Sequence, residues 1–501
     1  MRKIALLPVD GRPVTRKLPI DLAQLAGWEV ITPEPEELGF LKKPADVDFL
    51  KRWLYGVAQQ VDGIVLSIDL LLYGGLVPSR IHSYTNDELI VRLNLLKELK
   101  ETYPSLKIMV FSSTMRLSNN NVNEEEKEYW QDYGTMIWAL SYHEHRYEVL
   151  GQNSDAQIVK EMNEKIPETV LEDYKKSRGI NYSVNKFLVT LVNKGLIDHL
   201  VFPQDDTSEY GWNVKEQKEL AALVQNQNLE ESVYLYPGAD EVSSTLVTRM
   251  IFECEQEEVP TFFPVYSGLK GALSPALYED RPIMESVKGQ LHAIGSRTED
   301  DFQHADIVLG VNVPGQKQGD LALGLNLNQV DTNDRNVPEW LNRMHSYMKR
   351  KPVAIVDVAY ANGADPKLIP MLLKRLNWEE LFGFAAWNTA GNSLGTVVSQ
   401  TALHWLAEKR GMRNNEVRIN QLILRLLDDY VYQSISRGKS RNQLNVVSFE
   451  TLDEIVSPIF IKDATFFLDN WAQGWKIDEV YYPWDRTFEI GIHLRRKEEW
   501  K

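Results

Sequence analysis

With a single cysteine, Cys254, the 501-residue chain can form no internal disulfide and no multi-cysteine zinc site. Cys254 falls in the helical-looking "TLVTRMIFECEQ", where a packed thiol is the expected role. Histidine is thin as well. The closest of its nine copies, His143 and His145, are two apart, not at the i, i+4 spacing that sets two ligands on one helix face. Basic residues are in deficit: 55 lysines and arginines against 71 acids give a formal charge of -16, so most of the surface repels a phosphate backbone and no nucleic-acid partner is expected. Long apolar runs are missing too. No window approaches the roughly 18 to 20 residues that a spanning helix needs, and strand-like sequence starts at Lys3 with no signal-peptide pattern before it. The expectation is a cytoplasmic protein with no membrane partner.

What remains is a globular composition, 43% hydrophobic and 25% charged, long enough for two or three domains or one large barrel with additions. No repeat or low-complexity tract interrupts it. Up to about residue 300, β-rich runs alternate with amphipathic helical stretches, the pattern of parallel strands joined by crossover helices. The expected strands are "KIALLPV", "EVITP", "GIVLSID", "KIMVFSS", "HLVFPQD", "VYLYPGA", "TFFPVYS" and "QLHAIGS". Eight such units would close a (β/α) barrel, and doubly wound parallel sheets are the alternative with the same periodicity.

The predicted organisation is therefore α/β: a barrel-like domain over 1–300 with a helical insertion at about 119–194, a smaller α/β domain over 301–410, and a helical and hairpin region over 411–501. The smaller domain would use "ADIVLGVNV", "PVAIVDVAY" and "LFGFAAWN" as strands, and the hairpin would be "KIDEVYYPWDRTFEIGIHLR".

Parallel α/β folds gather their loops, and their sites, at the C-terminal ends of strands. Polar residues accumulate at those ends: Asp10 and Arg12 after the first, Asp69, Tyr73 and Arg80 after the third, Arg116 after the fourth. The fifth delivers "PQDDTSEYGW", with Asp205, Asp206, Tyr210 and Trp212, and the sixth "YPGADE", with Asp240 and Glu241. Later strands supply Asn312, Asp357 and Asn362, then Trp387, Asn388 and Asn392. Any one of these acids could simply cap the next helix. Several on one face without partners would cost several kcal/mol each, roughly, which points to a site for a polar substrate. Side chains alternate along a strand, so Asp205 and Asp206 share a direction only if the chain turns there. Neither "DLLLYGGLVPSR" nor "WNTAGNSLGT" has the spacing of a phosphate-binding glycine loop, so no nucleotide cofactor is expected. Thr389, Asn392 and the helix start in the second could donate hydrogen bonds to a ligand.

The segments "LPVDGRPV", "SIDLLLYGGLVPSR", "FPQDDTSEYGWN", "YPGADEVSSTLVTRM", "WNTAGNSLGT" and "YPWDRTFEI", taken together, resemble the bacterial family known as domain of unknown function 4127. They run from near residue 6 to near 490. Gly11 stands before Arg12 where that resemblance leads one to expect serine. The resemblance implies one intact unit and carries no activity.

Close carboxylates push one pKa upward, leaving an acid beside a carboxylate at neutral pH, the arrangement glycoside hydrolysis needs. The expected function is a hydrolase, a glycosidase acting on a small-molecule or oligosaccharide substrate, with Asp205, Asp206, Asp240 and Glu241 as catalytic acids and the other polar residues named above binding substrate. No cofactor is expected. The alternatives are a divalent-metal-dependent hydrolase or lyase, with loosely bound Mg²⁺ or Ca²⁺ on the same carboxylates, and a non-enzymatic sugar-binding or sensing protein with Trp212, Trp387 or Trp484 as stacking faces.

Overall fold

A computed structural model describes residues 2–412 and 414–497. The chain is α/β with mostly parallel sheets. Strands β1 (Lys3–Leu7), β2 (Glu29–Ile31), β3 (Gly63–Ser67), β4 (Lys107–Phe111), β5 (His199–Gln204) and β6 (Val233–Pro237) form a six-stranded parallel sheet in the order β2-β1-β3-β4-β5-β6. Strands β7 (Phe262–Tyr266), β8 (Ile307–Asn312), β10 (Val353–Asp357) and β12 (Phe384–Ala385) form a second parallel sheet in the order β12-β10-β8-β7. Two short strands, β9 (Gly319–Asp320) and β11 (Tyr360–Ala361), pair beside it, and β13 (Trp475–Tyr481) with β14 (Gly491–Arg496) make the antiparallel C-terminal hairpin.

One expected strand is not a strand. The last three residues of "QLHAIGS" are a turn, and the first four end the helix Ile283–Ala293, which buries Ile283, Ser286, Val287, Gln290 and Leu291. That is helical spacing, and it begins eight residues before the apolar cluster that reads as extended chain.

The period-two alternation of buried strands divides the core. From the first sheet Ile4, Leu6, Val65, Met109 and Phe111 face inward, and from the second Leu309, Val311, Ala354 and Val356 do so. Between them lie the helices Lys17–Leu25, Val242–Glu255, Ile283–Ala293 and Ala390–Lys409. The alternate residues Ala5, Leu7, Ile64, Leu66, Ile108 and Val110 pack outward against helices Val47–Ala58, Asn86–Thr102 and Glu168–Asn193. On the far side, Val308, Val353 and Ile355 meet helices Val337–Met348, Leu368–Arg375 and Ser457–Trp471. Both faces of each sheet are covered, which explains why the strands read as unbroken apolar runs.

Three helices, Trp130–Leu150, Asn153–Lys165 and Glu168–Asn193, follow β4. Among the described residues no helix is long and apolar enough to cross a membrane.

Candidate functional site

The C-terminal ends of strands from both sheets open into one cleft of about 340 Å³. Arg12, Arg116, Asp205, Asp206 and Asp240 line it from the first sheet, and Asn362, Asn388 and Thr389 from the second. The loop after β4 adds Glu124 and Glu125, and the chain between the hairpin strands adds Trp484, Arg486, Thr487 and Phe488.

Arg12 is the hub. It donates from Nε to Asp10 at 2.9 Å, and from its two terminal nitrogens to Asp240 at 3.1 and 2.5 Å. Glu489 lies 3.4 Å away, and the guanidinium sits over the Trp484 ring, 4.8 Å from its centre. Burial opposes the charge of Arg12, but Asp10, Asp240 and Glu489 outweigh it and raise its pKa. Asp240 also accepts from Asn388 Nδ2 at 3.0 Å. Burial, with Asp10 and Asp205 nearby, pushes the Asp240 carboxyl up to about 6 against the pull of Arg12.

The backbone carrying Asp240 is held from the other sheet. Asn392 Oδ1 accepts from the N–H groups of Ala239 and Asp240 at 3.2 and 3.0 Å. Asn392 can reach them because the helix Ala390–Lys409 starts directly against β6. A Cβ on Gly391 would lie 2.5 Å from the Pro237 carbonyl oxygen, and one on Gly395 would lie 2.2 Å from Glu241 Cγ. The glycines of "WNTAGNSLGT" serve this close packing, and Thr389 Oγ1 caps the helix.

At the end of β5 the strand stops at Gln204, and Asp206 takes a left-handed backbone, φ 41°. That turn allows both adjacent aspartates to line the cleft, at a conformational cost typical of functional positions. Asp205 Oδ2 accepts from Arg80 at 2.9 Å and lies 3.6 Å from Arg116. Asp206 Oδ2 accepts from Ser118 at 2.7 Å and lies 3.4 Å from Arg116. Each Oδ1 is unengaged by side chains among the described residues. Burial, with Asp205 beside it, raises the pKa of Asp206.

Glu125 joins these groups. It accepts from Arg80 at 2.9 Å, lies 3.1 Å from Arg116 and pairs with Arg486. The three arginines overcome its burial and hold its carboxyl well below the usual carboxylate range. Arg486 also pairs with Glu489 and stacks over Trp484, 4.5 Å from the ring centre.

Other expected site residues lie elsewhere. Glu241 is wholly buried behind the cleft, bonded to Gln290 Nε2 at 2.7 Å and Ala239 N–H at 2.9 Å, and burial pushes its carboxyl up to about 8. Asp69 accepts from the Ser113 N–H at 2.9 Å, and burial raises its pKa to about 6. Tyr73 is buried against His82. Tyr210 packs on Tyr142 and His145, and Trp212 packs near Tyr174 with its indole N–H on Glu144, so both belong to the contact with the helices after β4. Trp387 is buried against Phe488. Asn312 and Asp357 form a separate buried network: Asn312 donates to Asp357 and Asp365 at 2.9 and 3.1 Å, and Arg335 pairs with Asp365 at 2.8 Å. Burial and the charge of Asp365 push the Asp357 carboxyl up to about 7.

Sequence reasoning missed Glu124, Glu125, Tyr278, Arg441, Arg486, Thr487 and Glu489. Tyr278 donates to Asp320 at 2.7 Å, and Asp320 also accepts from Asn362 at 2.9 Å. The usable signal was the tail segment "YPWDRTFEI", in which Arg486 and Glu489 stand three apart.

Fold and cleft together define an α/β protein with two parallel sheets whose strand ends meet at one arginine–carboxylate site. The chain belongs to the family described as "Protein of unknown function (DUF4127)", whose model matches residues 4–493. No curated protein matches it.

Proposed function

We propose that the cleft is the active site of a glycosidase-like hydrolase for a small polar, sugar-containing substrate. The observation that carries this reading is the pair at the end of β5: Asp205 and Asp206 both line the cleft and, among the described residues, both are tethered by side chains only through Oδ2, which leaves each Oδ1 for substrate. Asp206, with its raised pKa, is the proton donor to the leaving oxygen. Asp205, ion-paired with Arg80, stabilises the positive charge that develops on the sugar carbon as its bond to that oxygen breaks. Water then adds to the carbon and returns a proton to Asp206. Asp240, clamped by Arg12 and Asn388, orients substrate hydroxyls.

The metal-dependent alternative has less support. The cleft carboxylates are divided among arginines, and among the described residues no three His, Cys, Asp or Glu side chains are gathered as metal ligands. The stacking-platform alternative is weakened because Trp212 and Trp387 do not line the cleft and the Trp484 ring carries Arg12 and Arg486. For architecture we favour doubly wound sheets over a barrel, since β2 and β6 end the first hydrogen-bonded order. The lone part-buried thiol of Cys254 suits a reducing cytoplasm.

The test is turnover of a panel of aryl glycosides and oligosaccharides by the wild type, D205N, D206N and D240N, with melting measured alongside. Either β5 amide should lose on the order of a hundredfold in rate with little change in melting. Full activity in both amide variants, or no turnover of any panel member by the wild type, refutes the assignment.

A further inference from the structure

Arg12, Arg80, Arg116 and Arg486 all hold carboxylates, but two arginines at the Phe488 end of the cleft do not. A helix runs from Asn415 to Arg441 with a π-type stretch over Leu426–Ser436, and its last turn carries Arg437 and Arg441 one above the other. Arg441 lines the cleft, donating from Nε to Thr487 Oγ1 at 3.0 Å and from Nη1 to the Ala322 carbonyl at 3.4 Å. Arg437 is only 2% exposed, stacks under the cleft-lining Phe488 at 5.5 Å, and bonds Gln433 through Nη1. Its Nη2 is buried without a hydrogen-bond partner. Among the described residues neither arginine makes an ion pair.

A buried cation with no direct ion pair is costly, and here only the more distant charges of Asp320 and Glu489 offset it. Burial, with the charge of Arg441 beside it, lowers the Arg437 pKa to about 10, which still leaves it protonated at neutral pH.

We propose that the Arg441 end of the cleft is an anion subsite, in which Arg441 contacts an acidic substituent, a carboxylate or phosphate, on the sugar and Arg437 behind it adds positive charge that no direct ion pair takes up. This rests on reading the cleft as the substrate site and narrows the substrate to an acidic sugar. Arg437 is a positioning residue, since its unpaired nitrogen is shielded from the cleft.

Binding tests this without turnover. The full chain is titrated with D-glucuronate, glucose 6-phosphate, inorganic phosphate and neutral glucose, by calorimetry and by thermal shift, in the wild type, R441A and R437M. The acidic sugars should bind and raise the melting temperature while glucose does not, and the stronger of the two identifies the substituent as carboxylate or phosphate. R441A should weaken that binding by about tenfold, the value of one charge-assisted contact. R437M should melt higher than the wild type without ligand and gain less from the acidic sugar, whereas a purely structural arginine would give a lower melting point and an unchanged gain. Because binding is read without turnover, acidic-sugar binding by a wild type that hydrolyses no member of the glycoside panel separates failure of the catalytic assignment from failure of this subsite. Equal binding of glucose and the acidic sugars, binding of neither, or undiminished binding by R441A overturns the proposal. Binding of inorganic phosphate as tight as that of glucose 6-phosphate likewise overturns it, because the sugar then contributes nothing.

Discussion

Arg12 and Asp240, 228 positions apart, form a two-pronged pair at 3.1 and 2.5 Å that ties the loop after β1 to the loop after β6. Both side chains are almost wholly buried, so removing one partner strands the other's charge. Arg12→Met should lower stability by about 3–5 kcal/mol. Arg12→Lys, which keeps the charge but not the fork, should fall between it and wild type. Urea melts of the three proteins measure the order, and equal stability of Arg12→Met and wild type contradicts it.

Glu241 gives a pH signature. Its folded pKa of about 8 exceeds its ordinary value near 4.5, so its contribution to stability is fully present below pH 4.5 and is lost as pH rises through about 8. Glu241→Gln has no such titration. The variant should gain on the wild type between pH 5 and 8 in denaturant melts, while turnover at neutral pH stays near normal because the side chain lies behind the cleft. A constant gap across that range excludes the shifted carboxyl.

Asp240 faces the cleft with a pKa of about 6. As pH rises through that value the carboxyl ionises and its pairing with Arg12 is completed, so kcat/KM should climb on this limb. The limb should vanish in Asp240→Asn. Its persistence there would assign it to another group.

Gly395→Ala should destabilise by about 1–3 kcal/mol, because the added methyl meets Glu241 Cγ at 2.2 Å and Gln290 Oε1 at 2.6 Å. Gly179→Ala is the control: it sits in the helix Glu168–Asn193 with nothing within 4 Å of the new methyl. It should stabilise by about 0.5–1 kcal/mol. Thermal melts that move both variants the same way would contradict the close packing of the helix on β6.

The acids Asp10, Asp205, Asp206 and Asp240 were legible because each follows an apolar run by one to three residues, and parallel topology then brings them to one edge. Asn388 followed from the same logic in the second sheet. Glu241 was misjudged for a local reason: the turn after β6 sends Asp240 forward and the next side chain back beneath the helix Ala390–Lys409. Trp212 and Tyr210 look like site aromatics in "SEYGWN", yet their partners are helices inserted after β4, which periodicity locates but does not orient. Glu125, Arg441 and Arg486 lie in irregular chain or at a helix end, and their meeting depends on tertiary packing between segments hundreds of residues apart.

The contact between Arg12 and Glu489 spans 477 positions of the sequence. On a ribosome, the guanidinium meets its counter-charges in order: Asp10 is already there, Asp240 follows, and Glu489 comes last. A nascent chain that has folded its first sheet therefore still has an arginine cluster lacking Glu489, and the cleft lacks the wall formed by Trp484 and Arg486. Such a chain has an unfinished pocket, and it gains its final shape only when the hairpin closes over it.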